Sequence, residues 1–180
     1  MTQYKTIEQF KLAVVNMRLM LPTVMQIGAR SSCAKMASEI KKRVTVDAVS
    51  VHGDSFSPYS KRHITEKIKS GASPLGKKVD KKNFYYKGYL WATFAVQKLE
   101  LNGDKIHIGV DFSGNNETMP NVEVADWQNA YEHDAGTLAK EHSISDPNGH
   151  EVEQLMKEIE AELYKNINKL LGTATTPSIP

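Results

Sequence analysis

The sequence predicts an α+β fold, and three stretches carry that expectation. Apolar and small residues dominate from Thr6 to Arg43, an alternating segment "AVQKLELNGDKIHIGVDF" occupies 95–112, and one apolar stripe repeats at helical spacing over 147–171. At 180 residues, 40% hydrophobic and 24% charged, the chain has the size of one domain that buries about two-thirds of its unfolded surface. The expected organisation is a single domain over 1–172, with "TATTPSIP" (173–180) as a flexible tail.

The first element expected is a helical pair over 6–43. Ile7, Phe10, Leu12, Val14, Val15, Met17, Leu19, Met20 and Leu21 read as a helix hydrophobic on most sides, which its own domain or a partner must bury. Pro22 reads as a break and as the first residue of a second helix ending near Arg43. Gly28, Ala29, Ser31, Ser32 and Ala34 make that helix slim. Either another backbone approaches closely there, or small residues simply lie at the surface.

Residues 44–83 lose periodicity and gain Gly, Pro, Ser and Lys, so they read as a long basic loop arm with a helical turn or two around Pro58–Lys69. Next comes "NFYYKGYLWATF" (83–94), with six aromatic residues in twelve positions. Leu90, Trp91 and Phe94 suit one buried stripe of a short helix leading into a hairpin, giving a unit over 84–112. Asn102-Gly103 fits a two-residue type I′ turn, which pairs Leu101 with Asp104 and Leu99 with Ile106. Leu99, Leu101, Ile106, Ile108 and Val110 then share one face, and Lys98, Glu100, Lys105 and His107 the other.

Residues 113–122 read as an exposed loop, and 122–136 as a short strand or helix carrying Trp127 and Tyr131. A last helix is expected over 147–171, with Asp146 as N-cap and Pro147 at its first position. Its stripe is Val152, Leu155, Met156, Ile159, Leu163, Ile167, Leu170 and Leu171, closed by Gly172.

Charge divides the chain. Residues 1–90 hold 17 Lys/Arg against 6 Asp/Glu, a net of +11, and residues 91–180 hold 6 against 15, a net of −9. Such polarity suits a nucleic-acid surface, and equally a subunit whose basic face meets a neighbour's acidic face. No apolar run approaches the ~20 residues of a bilayer span, and the first residues lack the pattern of a secretory leader, so the chain reads as neither membrane-bound nor exported. The single cysteine, Cys33, reads as a packed thiol.

No phosphate-binding loop, dinucleotide fingerprint, HExxH or GxSxG motif is present. The six histidines do not pair on a helix face, and "YEHDAG" (131–136) places Glu132, His133 and Asp134 side by side, pointing apart. The expectation is a protein that is not an enzyme, with no catalytic residues, cofactor or metal. Lysines over 61–87 beside Tyr85, Tyr86, Tyr89 and Trp91 also suit a basic module that holds phosphates and stacks bases.

Two stretches carry a resemblance. "FSPYSKRHITEKI" (56–68) is similar to the segment W-x-P-L-S-x-x-T-x-x-x-K of phage virion morphogenesis proteins, the tail-completion or neck proteins of tailed bacteriophages. Phe56 stands where that family has Trp, Pro58 matches, Tyr59 replaces Leu, and Ser60 and Lys67 match approximately. A lysine- and glycine-rich loop follows in both. "YYKGYLWATF" resembles the family's x-x-T-G-x-L-x-x-S-x at Gly88 and Leu90, with Thr93 for Ser and Lys87 departing from it. The likeness spans about 40–171.

That resemblance implies a small α+β subunit forming a homo-oligomeric ring of roughly six or twelve copies at the head–tail junction of a virion, assembled in the host bacterial cytoplasm. Its implied partners are neighbouring connector, portal or tail-tube proteins and the genomic DNA passing through the lumen without sequence-specific contact, and no membrane. The residues placed at assembly contacts are Phe56, Pro58, Tyr59, Lys67, Lys77, Lys78, Lys81, Lys82, Gly88, Leu90 and Trp91. The acidic half, with the hairpin edge or last helix, is expected to face the channel, and loop 53–87 to reach a neighbouring ring. The other classes are a basic nucleic-acid-binding module and a phage-encoded protein acting on a host partner.

Overall fold

The computed structural model describes residues 6–56, 58–69, 89–102, 105–115, 119–125 and 146–173. In order these form α1 (Ile7–Lys42), a π-helical turn (Arg43–Asp47), α2 (Lys61–Lys69), α3 (Tyr89–Ala92), β1 (Phe94–Asn102), β2 (Lys105–Phe112) and α4 (Gly149–Thr173). A further helical turn covers 121–125. The fold is α+β: two long helices packed on each other and a two-stranded antiparallel sheet packed on α1.

The helical pair expected over 6–43 is one helix of 36 residues with Pro22 inside it. A proline in a helix interior forfeits a backbone hydrogen bond and costs about 3 kcal/mol. Here Pro22 and Arg18 are both exposed, so water reaches the carbonyl that Pro22 leaves without a donor. The helix opens on Thr6, whose hydroxyl accepts from the Gln9 amide at 3.2 Å.

α4 runs antiparallel to α1. Arg43 meets Glu151, Lys35 meets Glu158 at 3.3 Å, and Gly28 faces the Glu162 Cβ. Gly28, Ala29, Ser32, Cys33 and Ala37 are buried, so the small residues of α1 serve close packing. Leu155, Ile159, Leu163, Ile167, Leu170 and Leu171 are partly covered, whereas Val152 and Met156 of the expected stripe are exposed.

The expected loop arm 44–83 is structured in its first part. Arg43–Asp47 winds into a wide turn that ends at Ala48, with φ +55. Ala48 tolerates this left-handed backbone where its methyl is fully buried and the following Val49 N–H donates to the Arg43 carbonyl at 3.1 Å. Val49 and Ser55 then form an antiparallel bridge, and the Phe56 amide donates to the Ala48 carbonyl at 3.0 Å. Residues 70–88, including the rest of that arm, lie outside the described residues.

The hairpin forms with its expected faces but in a different register. Asn102 pairs with Lys105, Leu101 with Ile106, Glu100 with His107 and Leu99 with Ile108. The two residues between the paired ends are therefore Gly103 and Asp104, a Gly-first pair that also suits a two-residue hairpin connection. The shift moves each partner by two positions, which preserves the faces; a shift by one would have inverted them.

A bulge at Gln97 then separates Lys98, opposite Gly109, from Val96, opposite Val110. It brings the even-numbered Phe94 and Val96 onto the same face as Leu99. Gln97 holds the bulge by donating its side-chain amide to the carbonyls of Thr93, Ala95 and Asp111 at 3.2, 3.3 and 3.1 Å.

The core lies at the C-terminal end of α1. Ala37, Ile40, Val44, Ala48, Phe56, Trp91, Phe94, Phe112 and Ala125 are buried together, with Met36, Leu90 and Val110 against them. Trp91 is fully buried and meets Phe94 and Phe112 edge-on, with centroids at 5.4 and 5.2 Å.

α4 starts at Gly149 rather than beside Asp146-Pro147. Asn148 is the cap: its side chain accepts from the Glu151 amide at 2.8 Å, and Glu151 accepts from the Asn148 amide at 2.8 Å, a reciprocal capping box. The other oxygen of Glu151 takes the Arg43 Nε at 2.8 Å. Arg43 also donates to the Asp146 carbonyl at 2.7 Å and the Val49 carbonyl at 3.4 Å. Both side chains are buried.

Two outcomes follow for stability. Arg43→Met alone strands a buried carboxylate and should cost about 3–5 kcal/mol in urea unfolding, with Arg43→Met/Glu151→Leu recovering most of the loss. A Cβ on Gly28 would sit at ordinary contact distance, 3.5 Å, from the Glu162 Cβ. Gly28→Ala should therefore raise stability by about 0.5–1 kcal/mol through helix propensity, read as a higher denaturation midpoint with an unchanged slope.

Candidate assembly surface

α1 and α4 differ in length, and that difference builds the surface. From the Gly28–Glu162 contact, the eleven residues of α4 to Thr173 advance roughly 16 Å at 1.5 Å per residue, to about the level of Met17. The first turns of α1 run past that end. There Ile7 is 68% exposed, and Phe10, Leu12, Val14 and Val15 are also exposed, while Ala13 is fully buried; Leu19, 72% exposed, and Met20 follow at the level of the last turn of α4. The helix expected to need burial thus keeps seven large apolar side chains in water in the single chain.

Composition places a further constraint on this segment. Ile7–Asp47 contains an 18-residue window of mean hydropathy 1.3, long and apolar enough to cross a bilayer, and 17% of it is buried. Asn16, Arg18, Pro22 and Gln26 interrupt it, so its apolar character lies in the average and not in an unbroken run.

The residues of the two resembling segments occupy different surroundings. Phe56 and Trp91 are buried and Leu90 packs against them, so the two segments converge in the core of the chain. Within the single chain these three are core residues. Pro58 is exposed. Tyr59, His63 and Lys67 line one face of α2 and its approach: the Tyr59 and His63 rings stack at 4.4 Å, and the Lys67 Nζ lies 4.6 Å from the Tyr59 centroid. Lys67 is fully buried, and that desolvation lowers its ammonium pKa to about 8. Lys77, Lys78, Lys81, Lys82 and Gly88 lie outside the described residues, as does the Glu132-His133-Asp134 run.

Among the described residues no group of three His, Cys, Asp or Glu side chains could hold a metal ion. Cys33 is buried, which pushes its thiol pKa up and disfavours the thiolate. A groove of about 410 Å³ runs between α1 and α4, lined by Ser32, Lys35, Glu39, Gln154, Leu155 and Glu158 among others. Its lysines and glutamates are largely engaged: Lys35 with Glu158 at 3.3 Å, Lys157 with Glu153 at 2.7 Å, and Glu151 with Arg43. The buried Ser32 hydroxyl has no hydrogen-bond partner among the described residues.

No protein-family model, curated protein or solved structure matches the chain.

The Lys67 site has a measurable signature. Its folded pKa is depressed from 10.5 to about 8, so between those values the unfolded chain binds more protons than the folded one. Stability contributed by this site should therefore rise from pH 8 to 10.5 and be lowest below pH 8. Urea midpoints across that range should show the rise in wild type and a flatter profile in Lys67→Met.

Proposed function

We propose that this chain is a non-catalytic structural protein of a tailed-phage virion, one subunit of a ring at the head–tail junction that joins portal-side proteins to the tail around the DNA channel. The observation that carries the reading is the N-terminal half of α1, whose large apolar side chains are exposed in the single chain. Seven such residues on one short length of helix mark an association surface rather than scattered surface apolar residues.

Two features support a ring in particular. The chain divides into a basic half, net +11, and an acidic half, net −9. Heterologous contacts join two different patches of the same protein and close into rings when the rotation allows. The acidic half also suits a channel wall, because phosphates find few cations there and DNA slides without sticking. The similarity of 56–68 and 85–94 to tail-completion proteins points to the same place in the virion, and the convergence of Phe56, Leu90 and Trp91 in one core makes those segments parts of one structural unit.

The test is mass spectrometry of purified virions, with copies of this chain counted against portal and capsid subunits. The expected result is one ring, roughly six or twelve copies. Absence from virions overturns the reading and moves the chain to the class of nucleic-acid-binding or host-directed proteins.

A further inference from the structure

We draw no further inference here: the strongest candidate, the exposed apolar surface patch formed by Ile7, Phe10, Leu12, Val14 and Val15 on the first turns of α1, carries none, because nothing in the structure shows what covers it.

Discussion

The buried ion pair between Arg43 and Glu151 is the constraint on which the rest of the structure depends. It joins the end of α1 to the start of α4 across 108 residues of sequence. Removing a guanidinium and a carboxylate from water costs several kcal/mol per ion unless their hydrogen-bonding capacity is met. Here both Glu151 oxygens are engaged, one by the Arg43 Nε and one by the Asn148 amide, and Arg43 reaches the carbonyls of Val49 and Asp146 as well. The pair thereby fixes three things at once: the antiparallel register of the two helices, the wide turn after α1, and the entry into α4. An apolar pair of similar volume would bury the same surface without orienting that turn.

The parts of this arrangement legible in the sequence are those encoded by neighbours in the chain. Alternation over 95–112 gave the hairpin faces correctly, because facing depends only on parity. Its register depended on which of two overlapping dipeptides, Asn102-Gly103 or Gly103-Asp104, separates the strands, and both satisfy a two-residue connection. The bulge left a local sign that went unread: Gln97-Lys98, two polar residues between Val96 and Leu99, breaks a period of two. Likewise "DPNGHE" offers two caps for α4. Asp146-Pro147 is the more familiar pattern, but Asn148 has Glu151 three residues on, and the reciprocal bond plus a distant arginine decide in its favour. That arginine is invisible to any local window.

Pro22 shows the opposite limit. Its local cost of about 3 kcal/mol predicts a break, yet the helix continues through it, with Ala13 as the one fully buried residue of α1 before it and Gly28, Ala29, Ser32, Cys33, Ala37 and Ile40 buried after it. The same helix changes character near Gly28. Before that point its apolar residues are mostly large, as at Phe10, Leu12, Leu19 and Met20; after it they are often small, as at Ala29, Cys33 and Ala37. Small residues admit α4 and the hairpin closely, and the core gathers there. Of the large residues, Val24 and Met25 line a small cavity with Ile159 and Leu163 of α4, whereas those over 7–15 lie beyond the end of α4. Sequence alone showed that α1 is apolar on most sides, but which side chains its own chain would bury depended on the relative lengths of two helices far apart in sequence.

This division separates the core from the exposed end of α1 within one chain. Phe56, Leu90 and Trp91 build the core around the C-terminal end of α1. Large-to-small changes at these positions open a cavity and cost stability. The exposed residues at the N-terminal end of α1 are under no such packing constraint within the chain. Substitutions there leave the core intact and change only what the helix meets. The chain thus keeps its core at one end of α1, where the Arg43–Glu151 junction holds the scaffold, and its large exposed apolar residues at the other.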